Sequence, residues 1–281
     1  MSKPRPIALL TDFGLQDTYV GAMKAVIAGI APQAPVFDLT HAIPQGDIRR
    51  GAFELWRVRL ALPSGSVVVG VVDPGVGTQR TPIVIATPEL LLVGPDNGLF
   101  SYLLADVGGI QAYALENPAY RLEPVSTTFH GRDIFAPAGA HLATGVPPDA
   151  LGPAVGDLLR LPWPHLDSPD ASTLAGEVIH IDRFGNLVTS IGLLKHRAEG
   201  LALTPWIPGR EGRSLPGTRF EARLGSGPAI PMGRTFGDVS REELVCYVGS
   251  DGLLEIAVRD GSAAERLGAA NGQPVWLAQK G

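Results

Sequence analysis

Short apolar runs alternate with stretches of helical period along the first 160 positions. Pro6–Thr11, Pro35–Leu39, Ser66–Val72, Ile83–Ala86, Leu90–Val93 and Gln111–Leu115 read as strands, the fourth and fifth as a pair. Between them, apolar residues at helical spacing predict helices over about Tyr19–Ile30, from Asp47 to about Leu62, over Leu99–Val107 after the turn Asp96-Asn97-Gly98, and over Ile134–Thr144. Asp17 or Thr18, Asp47 and Asp133 stand where N-caps belong, and Pro32 stops the first helix. Strands alternating with helices predict βαβ units, hence an α/β domain with a largely parallel sheet between helices.

The pattern changes near Leu161. The segment 161–173 is rich in proline and reads as a linker. Beyond it come short strands separated by Gly and Pro: Gly176–Ile181, Leu187–Ile191, Arg219–Leu224, Leu244–Val248, Leu253–Val258 and Pro274–Ala278. They predict a smaller antiparallel β barrel or sandwich. The expected division is therefore 1–160, a linker 161–173, and 174–281.

Composition narrows the function classes. With 45% apolar and 18% charged residues in 281, the chain can bury a large core. The net charge is −5, the basic residues are scattered and aromatics are 6%, so neither a nucleic-acid footprint nor a base-stacking surface is present. No apolar stretch reaches membrane-spanning length and the first residues hold no signal-peptide core, so no membrane partner and a cytoplasmic protein are expected. The single cysteine, Cys246, lies in an apolar run and reads as a buried inert thiol. His41 follows a strand and can equally be structural, His141 lies within a helix, and His165, His180 and His196 show no metal-ligand spacing, so no metal is expected.

The candidate chemistry gathers where strands end. Val67–Val72 delivers Asp73, followed by a Pro-Gly turn, Gly77 and Arg80. In an open α/β sheet, ligands bind beyond the carboxyl ends of the strands. If the first domain is doubly wound, Thr11–Asp17, Asp73–Arg80, Asp96–Gly98 and His130–Asp133 can share one edge. Asp73, Arg80 and His130 would then form an acid/base cluster, with an Arg orienting the Asp through a bidentate contact and a His holding or relaying a proton. Water has a pKa of about 15.7 and needs such help to act as a nucleophile. The plainer reading makes His130 a backbone-bonded residue at a helix start and Arg80 a surface ion pair. Asp182-Arg183-Phe184-Gly185-Asn186 is either a hairpin with Asn at positive φ or an adenine clamp, and Gly249–Gly252 is either a hairpin or a polar clamp. No G-x-G-x-x-G, Walker A or G-x-S-x-G motif occurs, which disfavours a dinucleotide oxidoreductase.

Taken together, Thr11–Gly14, Asp73–Thr78 with Arg80, Gly94–Gly98, Thr128–Asp133, Asp182–Asn186 and Leu254–Val258 resemble, in order and over nearly the full length, the S-adenosyl-L-methionine (SAM) hydrolases, or SAM hydroxide adenosyltransferases, relatives of the SAM-dependent fluorinase and chlorinase. The resemblance implies an N-terminal α/β domain with a C-terminal β domain, a homotrimer with SAM between subunits, and hydrolysis of SAM to adenosine and L-methionine without a cofactor. It places the water-activating residues on Asp73, Arg80 and His130 and the ribose carboxylate on Asp12, next to Phe13. It places the methionine contacts on Asp17, Asp182 and Ser250, and the adenine contacts on Asn186 and Phe236, with Phe184 and Val258 also in the substrate-binding set. The halogenases resemble this frame but have Tyr and Ser where Asp73 and Gly131 stand, Arg at Asp251 and Trp at Gly46. A carboxylate beside a halide would repel it. A halogenase and a non-catalytic SAM- or adenosine-binding sensor are the alternatives.

Overall fold

A computed structural model describes residues 3–280. The chain divides between Leu161 and Pro162 into two compact units. The first holds a seven-stranded sheet of β1 (Ile7–Thr11), β2 (Val36–Thr40), β3 (Val67–Val71), β4 (Pro82–Ala86), β5 (Leu91–Pro95), β6 (Gln111–Ala114) and β7 (Ala154–Val155), in the order β2-β1-β3-β5-β4-β6-β7. The pairings among β2, β1, β3 and β5 are parallel, and those joining β5, β4, β6 and β7 are antiparallel. The sheet is therefore mixed rather than largely parallel. Only residues 87–90 separate β4 from β5, too few for the crossover a parallel partner needs, and Thr87 closes the turn by accepting at Oγ1 from Leu90 N at 2.8 Å.

Alternation along β1 explains the layers. Ile7 and Leu9 join Val67, Val69, Met23, Ile27 and Phe135 in one core. Ala8 and Leu10 join Val68, Val72, Leu55, Leu99 and Phe100 in another, on the opposite face. Helices α1 (Tyr19–Ile30) and α3 (Ala136–Ala143) cover the first face, and α2 (Ile48–Val58) the second. Asp47 caps α2, accepting from Arg50 N at 2.9 Å. Thr18, not Asp17, occupies the N-cap of α1, and it makes no side-chain cap bond.

Two expected helices take other forms. Residues 99–107 are a chain of turns, with bonds from Ser101 N to Gly98 O and from Ala105 N to Tyr102 O. Leu99, Phe100, Tyr102, Leu103 and Leu104 are all buried, which a one-sided helix would not allow, so packing decides the backbone here. The segment after His130 begins as a π-helical turn, Gly131–Phe135, before α3. Asp133 sits inside that turn and is not its cap.

The second unit is almost entirely β. Its strands are β8 (Leu166–Asp167), β9 (Thr173–Ile181), β10 (Leu187–Thr189), β11 (Leu194–Arg197), β12 (Gly200–Leu203), β13 (Arg213–Pro216), β14 (Phe220–Leu224), β15 (Ile230–Pro231), β16 (Leu244–Val248), β17 (Leu254–Val258) and β18 (Pro274–Gln279), with one short helix, α4 (Ala263–Leu267), before β18. The main sheet runs β15-β14-β18-β9-β10-β17-β16, with β8 beside β9. Met232, just beyond β15, bridges Cys246 of β16, so the two edges nearly meet and the sheet is close to a barrel. Strands β11, β12 and β13 form a separate small sheet. Lys195, His196 and Arg197 of β11 are exposed, which leaves no apolar alternation to mark that strand. Cys246 is buried, and burial pushes its thiol up to about 12. In the proline-rich segment, Leu161 N donates to Ser101 Oγ at 2.8 Å and β8 pairs with β9, so both ends are built into the units they adjoin.

Candidate active site

Strands β1 and β3 are neighbours and end together. Their parallel register sets Thr11 opposite Val71, so Asp12 and Asp73 emerge on the same edge of the sheet. The carbonyl of Val72 accepts from Asn97 Nδ2 at 2.8 Å, which ties down the end of β3 directly before Asp73. Asn97 is thus a strut, while Asp96 accepts from Leu159 N at 3.0 Å and serves the fold.

Asp73 and Arg80 close the loop between them. Arg80 Nε donates to both carboxylate oxygens at 3.0 Å, and Nη2 donates to Oδ2 at 2.5 Å. The same Nη2 lies 2.6 Å from His130 Nδ1. A guanidinium only donates, so Nδ1 is the acceptor and the ring proton of neutral His130 sits on Nε2. Arg80 also lies over the Phe135 ring, 5.4 Å from its centroid. The side chains of Arg80 and Asp73 are only 9% and 5% exposed, so this ion pair is largely shielded from solvent. Burial, then the charge of Arg80, holds His130 below the usual histidine range, with Asp73 and the Ser126 backbone opposing.

Gly77 is what brings the two loops together. Its φ is +75°, and a Cβ there would overlap the Thr127 carbonyl oxygen. The His130 segment is anchored in turn by Asp133, whose side chain is 1% exposed. Its Oδ2 accepts from Ser126 N at 2.9 Å and its Oδ1 from Arg132 Nε at 2.6 Å, while Ser126 Oγ accepts from Phe129 N at 2.9 Å.

Asp12 and Phe13 adjoin this centre. Asp12 Oδ2 accepts from Gly46 N at 2.8 Å. Burial raises the Asp12 carboxyl above the ordinary aspartate range; the Gly46 amide opposes this and the neighbouring Asp73 charge adds to it. Phe13 packs edge-on to Phe129 at 5.9 Å and tilted to Tyr19 at 5.9 Å, and a Cβ on Gly131 would stand 3.1 Å from its ring. These rings tie the Asp12 loop to the His130 loop. Asp17 is exposed and borders an open concavity of about 510 Å³ with Leu15, Thr18 and Gly21.

The remaining sequence candidates lie in the second unit. Asp182, Phe184 and Asn186 share one turn: Asp182 Oδ1 accepts from Phe184 N at 2.8 Å and Asn186 N at 2.9 Å, and its Oδ2 from Asn186 Nδ2 at 2.9 Å. Gly185, not Asn186, takes the positive φ, +82°. Asn186 is buried and Phe184 is 74% exposed. Phe236 is half-exposed and meets Tyr247 edge-on at 4.9 Å. Val258 is buried in β17. The register Leu187↔Ile256 puts the Asn186 turn beside the Val258 end of β17, whereas Ser250 lies in the turn at its Leu254 end. Outside the sequence candidates lies the cross-strand pair Tyr247–Glu255, where the tyrosine hydroxyl donates to Oε2 at 2.8 Å. A glutamate in the middle of an apolar strand was the available signal. Burial, then Glu255, raises the Tyr247 phenol well above its ordinary range.

Among the described residues, no group of three or more His, Cys, Asp or Glu side chains is placed to hold a metal ion. No helix among them is long and apolar enough to cross a membrane.

Comparison with known proteins gives this geometry a family. Residues 7–152 match the model of the SAM hydroxide adenosyltransferase N-terminal domain, and residues 176–276 that of the C-terminal domain. Proteins named (R)-S-adenosyl-L-methionine hydrolase are similar throughout: that of Thermus thermophilus is 43% identical over 97% of this chain and 99% of its own, and that of Salinispora tropica 43% over 96% of each. A crystal structure of an uncharacterized conserved protein from Thermotoga maritima superposes with a TM-score of 0.84 at 32% identity, covering 97% of this chain and all of the other. The chain belongs to the SAM hydroxide adenosyltransferase family.

Proposed function

We propose that this protein is a SAM hydrolase, converting SAM and water to adenosine, L-methionine and a proton. The observation that carries the reading is Arg80 Nη2 in contact with both Asp73 Oδ2 and His130 Nδ1, at the edge where β1 and β3 end. The cluster contains two carboxylates, Asp12 and Asp73, against one guanidinium, a balance suited to a sulfonium cation.

In this reading, Asp73 and His130 hold a water opposite the C5′–S bond. The water oxygen forms a bond to C5′ as the C5′–S bond breaks. Methionine leaves as a neutral thioether, and the proton of the water passes to Asp73, while the Nε2–H of His130 can donate to the water oxygen. An oxygen gaining hydroxide character meets a cation, so charge is annihilated, and a dry setting strengthens the attraction that drives this. Alignment supplies a further share of the barrier reduction. Asp73 disfavours a halide in the place of that water by like-charge repulsion, which separates this chain from the halogenase alternative.

The substrate contacts follow the family pattern. Asp12 binds the ribose with Phe13 beside it, and Asp17, Asp182 and Ser250 bind the methionine part. Asn186 reads the adenine edge between Phe184 and Phe236, close to Val258. Asp182 Oδ2 accepts one bond within its turn, which leaves acceptor capacity for an ammonium group, and Asn186 retains its Oδ1 and one N–H for a base. The assembly is a homotrimer in which the C-terminal unit of a neighbouring subunit completes the site. The protein acts in the cytoplasm, a reading supported by its single free cysteine. No cofactor takes part: displacement at C5′ of a sulfonium needs only a held nucleophile, because the leaving thioether departs neutral. Incubating the purified protein with SAM and chloride tests the reading: equimolar adenosine and methionine are expected, and 5′-chloro-5′-deoxyadenosine or no turnover would contradict it.

A further inference from the structure

A second polar chain runs beside Asp12, from the core to the surface. His41 follows β2 and is 4% exposed. Its Nδ1 lies 2.8 Å from Thr11 Oγ1, and its Nε2 lies 3.0 Å from Asp38 Oδ1. Asp38 Oδ2 in turn accepts from Lys24 Nζ at 2.7 Å, where both side chains reach solvent.

The proton positions follow from the contacts. Thr11 Oγ1 already accepts from Phe13 N at 3.2 Å, so its own O–H can donate to His41 Nδ1. The ring proton then sits on Nε2, within 3.0 Å of the Asp38 carboxylate though off the line of a hydrogen bond. Hydroxyl, imidazole and carboxylate in this order are the groups that activate a nucleophile elsewhere. Thr11 cannot serve that way, since it is wholly buried and its oxygen is engaged by its own turn.

What the chain does hold is the turn that carries Asp12. The Thr11 hydroxyl fixes Phe13 N, and the His41 carbonyl accepts from Gly14 N at 2.8 Å. Asp12 lies between these two ties, with Oδ2 on Gly46 N. Both ends of the turn therefore depend on His41.

We infer that His41, braced by Asp38 and Lys24 and acting through Thr11, is a positioning residue that aims Asp12 at the nucleoside part of the substrate. The inference rests on the SAM-hydrolase reading. Asp12 is displaced when Thr11 loses its hydroxyl, although the core volume is unchanged.

The test is steady-state kinetics with SAM and calorimetric binding of adenosine, on the full-length protein and on Thr11→Val, Thr11→Ser and Asp38→Asn, each checked by its melting curve. Thr11→Val should raise KM for SAM and Kd for adenosine about tenfold, the scale of one lost buried hydrogen bond, while kcat changes less. Thr11→Ser, which keeps the hydroxyl, should restore both to near wild type. Asp38→Asn alters only the half-exposed brace and should give a smaller rise in KM in the same direction. KM and Kd equal to wild type in folded Thr11→Val would overturn the inference. If Thr11→Val does not fold, an unchanged KM in Asp38→Asn would overturn it. A wild-type protein that neither consumes SAM nor binds adenosine would defeat the functional reading itself, a result distinct from either.

Discussion

Arg80 serves two neighbours with different needs. It grips the Asp73 carboxylate through two nitrogens and turns one of them toward His130. Asp73→Asn keeps the shape but removes the charge proposed to orient water. It should lower kcat by ~10²–10⁴-fold, the usual worth of general-base help, with KM for SAM little changed. Unchanged turnover would remove Asp73 from the chemistry. His130 gives a pH prediction. Its pKa is depressed from the ordinary 6.5 by burial and by Arg80, so the neutral ring and the stability tied to it are fully present above about 6.5 and are lost as pH falls through the lower, folded value. Protonation puts a second donor against Arg80 Nη2. The acidic limb of kcat/KM should therefore lie below pH 6.5 and move in His130→Gln; a limb above 6.5 would contradict the geometry. The family resemblance singled out Asp73, Arg80 and His130, whereas their spacing alone left a backbone-bonded histidine at a helix start and a surface ion pair open. The contact of Thr11 with His41 was not legible in the sequence, since a buried threonine and a histidine after a strand look the same whether or not they touch.

At the scale of elements, two glycines separate backbone strain from positioning. Gly77 and Gly109 both have φ near +70°, at +75° and +69°. An added Cβ at Gly109 meets nothing within 4 Å, whereas at Gly77 it meets the Thr127 carbonyl, next to the His130 turn. Gly109→Ala should cost about 1–2 kcal/mol of stability and leave turnover unchanged. Gly77→Ala should cost more and also reduce turnover, because the Arg80 loop must retreat from His130. Melting curves and initial rates on the two variants check this, and equal rates would mean that the loop contact does not set the site. The start and end of α1 were readable from spacing and Pro32, and the cap of α2 from Asp47. Residues 99–107 were not, because burial on several sides overrides a helical period. The turn around Asp133 was misread because its carboxylate bonds to Ser126 and Arg132, outside the helix it would have capped.

For the whole molecule, the α/β unit followed by a β unit was visible in the alternation of the first half and the short strands of the second. The direction of β4 and β6 was not, since apolar runs look alike in parallel and antiparallel pairs and only the four residues between β4 and β5 hinted at a hairpin, and the two-residue β7 left no pattern at all. The exposed strand β11 left no pattern to read. The proposed homotrimer, with its site shared between subunits, makes a prediction of its own. Asp73→Asn and Asn186→Ala lie in different units, so co-refolding the two weak variants should regenerate a fraction of wild-type activity from sites that receive both intact halves. Activity no higher than the average of the parents would argue that each chain builds its site alone. The most direct test of the central claim is hydrolysis of SAM in ¹⁸O-labelled water, followed by mass spectrometry of both products. Attack at C5′ by the water held at Asp73 and His130 predicts one ¹⁸O in the 5′-hydroxyl of adenosine and none in methionine; adenosine without the label, or label in methionine, would contradict it.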